Sequence, residues 1–186
     1  MMNNGNLVIL SGPSGTGKGT VLEQVFKILP HLVYSVSATS RDPRDGEQDG
    51  VQYHFITREE FEARVERNEM LEYAEYCNNY YGTPAPFIRE QRELGKTVIL
   101  EIEPCGAMQV MKKCPDAVSI FILPPSMEEL ERRLTDRGTE PPDVVARRIE
   151  RARQEIEQAH LYNYQVVNDN LDVAVNEVVN IIKELQ

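Results

Sequence analysis

A glycine-rich segment that contains one lysine, residues 12–20, carries the clearest chemistry in this sequence. It follows the apolar run 7–10 and precedes a helical pattern of apolar residues at 21–29. When such a loop connects a strand to a helix, its backbone N–H groups and the start of the helix can bind an anion such as phosphate, and Lys18 adds a full positive charge. The segment therefore predicts a polyphosphate site rather than an ordinary glycine-rich turn. Its members are Gly12, Pro13, Ser14, Gly15, Thr16, Gly17, Lys18, Gly19 and Thr20.

The position after the lysine bears on magnesium binding. Motifs of this kind usually carry Ser or Thr there, and the hydroxyl binds Mg²⁺ beside the phosphates. This chain has Gly19 instead, and a hydroxyl comes one residue later, at Thr20. We therefore expect Thr20 to be only a weak ligand of the Mg²⁺ that accompanies a nucleoside triphosphate.

Two carboxylates at the end of a predicted strand are further candidates for a ligand site. The apolar run 97–102 contains Glu101, and Glu103 follows two residues later, so both side chains point to one face. At the carboxyl end of a parallel strand beside a phosphate loop, they belong in a ligand crevice. Glu101 is the candidate for the Mg²⁺ shell, through water, because Mg²⁺ keeps several waters in most protein sites.

A second group of anion-binding side chains follows the second predicted strand. Arg41 and Arg44 lie three residues apart in a loop, where two guanidinium groups can bind one phosphate from two sides. Tyr53 and Tyr81 offer phenol donors to the same oxygens. The alternative is a charged surface hairpin with Arg–Glu pairs, which are common and contribute little.

Length, charge and cysteine content narrow the class of protein. The chain of 186 residues is long enough for one domain with a substantial core. Its net charge of −10 argues against nucleic-acid or anionic-membrane partners, which need a basic face. Its three cysteines lack metal-ligand spacing and are odd in number, which favours a reducing, cytoplasmic location.

The order of the apolar segments predicts an α/β fold. Near-continuous apolar runs alternate with amphipathic stretches, which favours a three-layer core with a parallel sheet. The segment 36–81 instead mixes short alternating pieces with one helix, and this predicts a small mixed antiparallel insertion. The polar segment 137–143 predicts a mobile lid between two helices. The apolar runs lie at 7–10, 33–36, 97–102, 118–123 and 165–167.

Local signals predict where three of the helices begin. Thr57 and Ser126 are each followed three residues later by Glu, which is the pattern of a capping box. Thr83 precedes a proline and predicts an N-cap with proline at the first helical position. These signals place helices at the edge of the insertion and in the core.

Longer patterns resemble the guanylate kinase family. The segment 35–55 has the form SxSxTxRxxRxGExxGxxYxF, and LExAE at 71–75 and NYYGT at 79–83 follow it. The segments 120–126 and 167–169 match as well, so the likeness extends over essentially the whole chain. The resemblance implies a P-loop core, a GMP-binding subdomain and a lid. It also implies transfer of the γ-phosphoryl group of ATP to GMP with Mg²⁺.

On the ATP side, the resemblance implies roles for three arginines and one asparagine. The arginines match lid and core residues that neutralise charge on the transferring phosphoryl group. Arg137 also belongs to the ATP site, and Asn168 matches a position near the adenine. The implied catalytic residues are Lys18, Arg41, Arg133, Arg137 and Arg148.

On the GMP side, the resemblance implies a base site and a phosphate site. Glu72 accepts hydrogen bonds from guanine N1–H and the exocyclic amine, while Ser37 and Thr83 can donate to O6. Adenine has an unprotonated N1, so Glu72 would face a lone pair and discriminate against it. The implied GMP-binding residues are Ser37, Arg41, Arg44, Tyr53, Glu72, Tyr81, Thr83 and Glu103.

The chain departs from the family at the end of the strand that carries the two carboxylates. The family usually has Asp at both positions and glutamine two residues later, where this chain has Glu101, Glu103 and Cys105. Each carboxylate is one methylene longer, so its reach toward Mg²⁺ or GMP and its water structure must differ.

The sequence predicts a single domain, with ATP and GMP as partners, dGMP as a further acceptor, and a monomer or homodimer. One alternative is a P-loop kinase for another small phosphorylated acceptor, such as AMP or a phosphosugar. Another is a non-catalytic guanylate-kinase-like module that binds peptides, against which the intact glycine loop and Lys18 argue. The predicted parts of domain 1–186 are a core at 1–34, 84–133 and 155–186, an insertion at about 35–83 and a lid at about 134–154.

Overall fold

Strands and helices alternate along most of the chain, as the apolar pattern predicts. The computed structural model describes residues 4–136 and 141–185, apart from the side chain of Pro142. Within these residues, no helix is long and apolar enough to cross a bilayer. The elements are β1 (Leu7–Ser11), α1 (Lys18–Ile28), β2 (Val33–Tyr34), β3 (Ala38–Thr39), β4 (His54–Phe55), α2 (Arg58–Glu66), β5 (Met70–Tyr76), β6 (Asn79–Pro84), α3 (Ala85–Glu93), β7 (Val98–Glu101), α4 (Pro104–Lys113), β8 (Val118–Leu123), α5 (Met127–Thr135), α6 (Pro142–Ile156), a 3-10 turn (Ala159–Leu161), β9 (Tyr164–Val167) and α7 (Leu171–Lys183).

The strands form two sheets of different kinds. The first has the strand order β2-β7-β1-β8-β9, and its β2–β7, β1–β8 and β8–β9 pairs are parallel. The second has the order β4-β3-β6-β5, with a parallel β3–β4 pair and antiparallel β3–β6 and β5–β6 pairs. The predicted α/β class, with a parallel sheet core and a small mixed sheet, is confirmed.

Contacts divide the chain into two units. In the first unit, Ala38, Phe61 and Met70 form a buried cluster beneath the mixed sheet. In the second unit, β1 is buried along residues 8–11, and α1 packs against α7. The predicted bounds of the insertion and the lid stay predictions. The first unit comprises residues 1–7, 32–100 and 105–117, and the second comprises 8–31, 101–104 and 118–186.

Side-chain caps begin two of the helices where the sequence predicts them. The Thr57 and Ser126 hydroxyls accept hydrogen bonds from the N–H groups of Glu60 and Glu129, at the starts of α2 and α5. The predicted N-cap at Thr83 is wrong. Strand β6 continues to Pro84, and α3 begins one residue later than predicted, at Ala85. Pairing with β5 holds Thr83 in the ladder, so its hydroxyl serves a cross-strand contact instead of a helix start.

Candidate functional site

The glycine-rich loop joins β1 to α1 in the second unit, and its shape depends on glycine. Gly12 and Gly17 have φ angles of 141° and 86°, which L side chains rarely adopt. A Cβ at Gly12 would lie 2.4 Å from the carbonyl oxygen of Ile122, and one at Gly17 would lie 2.6 Å from Nδ2 of Asn168. Neither position has room for a side chain, so the backbone passes close to its neighbours.

The first turn of α1 is suited to an anion. Among the described residues no side chain caps it, its N-cap is Gly17, and the first turn contains no acidic residue. The first turns of α2, α5, α6 and α7 all contain one or two acidic residues. Nζ of Lys18 donates to the carbonyl oxygens of Gly12 at 2.7 Å and Pro13 at 2.9 Å, so its charge lies beside the loop. The N–H groups at a helix start, the helix dipole and this ammonium group together favour a bound phosphate.

Three predicted residues from later in the chain support the loop. Asn168 is buried, and its Nδ2 donates to the carbonyl oxygen of Thr16 at 2.8 Å. Nη2 of Arg133 donates to the Asn168 carbonyl oxygen at 3.0 Å, and Nη2 of Arg148 donates to Oγ of Ser14 at 2.5 Å. The second unit therefore brings Asn168, Arg133 and Arg148 to the phosphate loop. The support of the loop by Asn168 has no local signal in the sequence.

The remaining arginine of the predicted catalytic set, Arg137, lies outside the described residues. Two arginines that are close to Arg137 in the sequence form surface ion pairs. Arg132 binds Glu129 at 2.8 Å, and Arg147 binds Asp143 at 3.1 Å, each within one helix. Such exposed pairs contribute little to stability, so these two arginines have the ordinary role of a solvated helix face.

The two carboxylates at and beyond the end of β7 have different surroundings. A Cβ at Gly19 would lie 3.5 Å from Oε1 of Glu101, so this carboxylate lies beside the first turn of α1. Glu103 instead accepts from Nη2 of Arg151 at 2.5 Å, and Nε of Arg151 donates to Glu155 at 2.8 Å. Burial raises the pKa of Glu155, although Arg151 opposes this shift. Glu101 is therefore next to the phosphate loop, whereas Glu103 belongs to an ion-pair network that the sequence does not predict.

The residues near the loop fit a magnesium ion that is carried by a nucleotide. Within residues 4–136 and 141–185, no three His, Cys, Asp or Glu side chains are grouped to hold a metal ion by themselves. The Glu101 carboxylate lies beside Gly19, and Thr20 is exposed in the same turn. Mg²⁺ usually keeps several waters and binds one or two carboxylates together with substrate phosphates. One nearby carboxylate is consistent with that pattern.

The phosphate-binding residues predicted in the first unit cluster around Arg41. Its Cζ lies 5.5 Å from the ring centroid of Tyr53, and the rings of Tyr53 and Tyr81 meet edge to face at 5.9 Å. Arg41 donates to both carboxylate oxygens of Glu47, at 2.8 and 2.9 Å. Glu47 also accepts from the backbone N–H of Arg44 at 2.7 Å. The predicted set omits Glu47, which holds the arginine loop together.

We expect the Arg41–Glu47 pair to make stability depend on pH in the acid range. Hydrogen bonds from Arg41 and from the Arg44 backbone lower the pKa of Glu47 from 4.5 to about 2. The ionised carboxylate therefore stabilises the fold above pH 4.5, and this contribution is lost as the pH falls toward 2. Glu47→Gln should lower the melting temperature near neutral pH, and its difference from the unmodified protein should shrink through this window.

Thermal unfolding measured over that pH range tests this prediction. Glu66→Gln makes the same charge change at an exposed position near the end of α2 and controls for net charge. A difference between Glu47→Gln and the unmodified protein that is constant from neutral to acid pH would contradict the role of the pair.

The residues assigned to the base lie in one row across the mixed sheet. Thr83 pairs with Glu72 in the β5–β6 ladder, and its Oγ1 donates to Oε1 of Glu72 at 2.6 Å. Ala38 pairs with Gly82, and Ser37 directly precedes β3, so continuation of this register by one residue would bring Ser37 level with Thr83. Glu72 and Thr83 are 6% and 1% exposed. Glu72 thus presents a buried carboxylate acceptor beside the Thr83 hydroxyl, and the Ser37 hydroxyl lies just before the neighbouring strand β3.

Comparisons with known proteins identify closely similar chains. The guanylate kinase family model matches residues 4–185. A guanylate kinase of Streptococcus agalactiae (serotype III, strain NEM316) is 52% identical over 184 residues, which cover 98% of this chain and 88% of that protein. A guanylate kinase of Desulfitobacterium hafniense (strain Y51) is 48% identical over 180 residues, covering 97% and 90%. A crystal structure of guanylate kinase from Anaplasma phagocytophilum is 34% identical, with a TM-score of 0.79, covering 99% and 87%.

Proposed function

The chain belongs to the guanylate kinase family, and from this premise we propose which of its residues bind ATP, which bind GMP and which act in the transfer. Its reaction is the ATP-dependent phosphorylation of GMP, which gives ADP and GDP. The observation that best supports this proposal is the phosphate loop, in which Lys18 lies beside Gly12 and Pro13. This loop leads into α1, whose first turn contains no acidic residue.

In this proposal, the second unit binds ATP. The loop of residues 12–20 holds the phosphates through backbone N–H groups, and Lys18 neutralises the β- and γ-phosphates. Arg133 and Arg148 stabilise charge on the transferring phosphoryl group, and both already contact the loop or its support. Arg137 shares this role by family resemblance, which also assigns Asn168 to the adenine side.

Magnesium would be held mainly by the nucleotide. When bound with the nucleotide, Mg²⁺ would supply Lewis-acid neutralisation of the charge that develops on the phosphates. Glu101 would hold the ion through water, because its carboxylate lies beside Gly19 at the first turn of α1. Thr20 is a weaker candidate in the same turn.

The first unit binds GMP in this proposal. Arg41, Arg44, Tyr53 and Tyr81 hold its phosphate, and Glu47 keeps Arg41 in place while the phosphate is absent. The row of Ser37, Thr83 and Glu72 binds the base. Glu103 is a weaker candidate for GMP, since its carboxylate already pairs with Arg151. dGMP is a further acceptor because the assigned contacts are to the base and the phosphate.

The transfer itself needs little covalent help from the protein. A phosphate oxygen of GMP attacks the γ-phosphorus of ATP, the bond from this phosphorus to the bridging oxygen breaks, and ADP leaves. The attacking oxygen is already anionic, so no general base is required. Lys18 and the arginines position the two phosphates, neutralise their charge and, with closure of the predicted lid, exclude water.

An ADP-release assay with ATP, Mg²⁺ and a panel of GMP, dGMP, AMP, UMP and CMP tests the proposal. We expect turnover with the guanine nucleotides and at least about 10²-fold lower kcat/KM with the others, because mismatched polar groups in a buried site stay unpaired. Turnover with AMP at the rate of GMP would contradict the assigned base site but keep the phosphate loop.

The same preparation, analysed by sedimentation, distinguishes a monomer from a homodimer. The free thiols Cys77, Cys105 and Cys114 support a reducing, cytoplasmic location.

A further inference from the structure

One side of α4 contacts β5 around Glu72, within the first unit. Gly106, Gln109 and Lys113 are spaced by three and four residues, so they lie on the same side of the helix. We refer to these three residues as the α4 face. Each of them contacts a different part of the segment that carries Glu72, and none of them belongs to the predicted nucleotide-binding set.

Gly106 lies against the Glu72 carboxylate. A Cβ at this position would lie 2.5 Å from Oε2 of Glu72 and 2.9 Å from its Cδ. The carboxylate is buried, and its other oxygen accepts the hydrogen bond from Thr83. A methyl group at position 106 must therefore displace the carboxylate from this position. The first turn of α4 also places the positive end of a helix dipole beside the carboxylate.

Gln109 pairs with the backbone that follows Glu72. Its Nε2 donates to the carbonyl oxygen of Tyr73 at 2.9 Å, and the N–H of Tyr73 donates to its Oε1 at 3.4 Å. Strand β5 is at the edge of the mixed sheet, so one side of its backbone has no neighbouring strand in that sheet. The Gln109 amide occupies that side as an additional strand would, with one donor and one acceptor.

Lys113 binds the backbone that precedes Glu72. Its Nζ donates to the carbonyl oxygens of Leu71 at 2.6 Å and Met70 at 3.4 Å. The β5–β6 register shifts between Met70 and Glu72, so Leu71 is the extra residue of a β-bulge. A bulge re-aims the side chains beside it, and an ammonium donor on its carbonyl groups fixes that local geometry.

We propose that the α4 face is a positioning element for guanine selectivity. It contacts neither nucleotide; it fixes the bulge, the edge of β5 and the carboxylate, and thereby the direction in which Glu72 meets the base. The inference rests on the proposed role of Glu72 in binding guanine. If the carboxylate moves by about 1 Å, it loses its paired hydrogen bonds to two donors of the base. A misplacement of this size lowers the rate by roughly 10²-fold. The effect should appear in GMP use and base choice, while the KM for ATP stays the same.

Lysine variants provide the first test, with kinetics for GMP, IMP and ATP. IMP lacks the exocyclic amine of guanine, so it reports on the Glu72 contact. Lys113→Met keeps the apolar stem but removes the donor, and we expect about a 10-fold rise in the KM for GMP and a smaller preference for GMP over IMP. Lys113→Arg should restore both values because it can donate to the same carbonyl groups. Lys112→Met, at the exposed neighbouring position, is the matched control.

Gly106→Ala is the stronger test. We expect about a 10²-fold lower kcat/KM for GMP with the KM for ATP unchanged, because the added methyl group displaces the Glu72 carboxylate. A merely structural role would instead raise the KM for ATP and GMP together. If this variant does not fold, the same kinetics on Lys113→Met and Gln109→Glu test the proposal instead. Gln109→Glu keeps the size of the side chain but places an acceptor opposite the Tyr73 carbonyl oxygen.

An unchanged preference for GMP over IMP in Lys113→Met, or an equal rise in the KM for ATP and GMP, would overturn the proposal. Failure of the proposed function gives a different result. In that case the unmodified enzyme would use AMP or IMP as readily as GMP, before any substitution on the α4 face is made. The nucleotide panel on the unmodified chain therefore separates the two failures.

Discussion

Lys18→Ala is expected to lower kcat by about 10³-fold or more while GMP still binds. The charge of Lys18 lies beside Gly12 and Pro13, at the N-terminal turn of α1, where the β- and γ-phosphates are expected to bind. During transfer, negative charge moves onto the bridging oxygen and the departing phosphate, so a fixed ammonium group is worth most in the transition state. GMP is assigned to residues of the other unit, so its binding should not require this lysine.

Single-turnover kinetics and calorimetric titration with GMP measure the two quantities separately. Lys27→Ala is the matched control because Lys27 lies on the same helix and forms an exposed ion pair with Glu23 at 2.8 Å. The melting temperature of Lys18→Ala should be recorded as well, since the lysine also bonds two carbonyl oxygens of the loop. A kcat within about 10-fold of the unmodified enzyme would remove Lys18 from the catalytic set.

Glu72→Gln is expected to reduce the preference for GMP over AMP by about 10²-fold or more. Glutamine has nearly the same size and can still accept the hydrogen bond from Thr83, so the β5–β6 ladder should persist. Its amide presents a donor where guanine offers N1–H and an amine, so donor would face donor. The same amide can donate to the unprotonated N1 of adenine. We therefore expect kcat/KM to fall for GMP and to rise for AMP.

The comparison of kcat/KM for GMP and AMP measures this preference directly. Glu75→Gln is the matched control, because Glu75 lies on the same strand, is exposed and bonds to Arg58 at 3.3 Å. We expect that variant to retain the preference of the unmodified enzyme. If Glu72→Gln did so too, the carboxylate would have no role in base recognition, and the inference about the α4 face would fail with it.

Local patterns in the sequence are sufficient for the α/β class, the phosphate loop and two helix starts. The strand periods, the glycines and the capping boxes each act through residues close together in the chain. Thr57 and Ser126 cap their helices because donor and acceptor are three residues apart, and this spacing can be read directly. Arg41 and Tyr53 could be grouped for the same reason, since one short loop separates them.

The tertiary structure alone decided which distant side chains support that chemistry. Asn168 and Arg148 reach Thr16 and Ser14 across more than 130 residues of sequence, and no local pattern reports such contacts. Because β5 contains a bulge and pairs with β6, Thr83 bonds to the Glu72 carboxylate and does not begin a helix as predicted. The α4 face likewise depends on where α4 packs against β5. Local sequence sets short-range hydrogen bonds, whereas strand register and packing determine which buried polar groups meet, because many distant partners must be satisfied together.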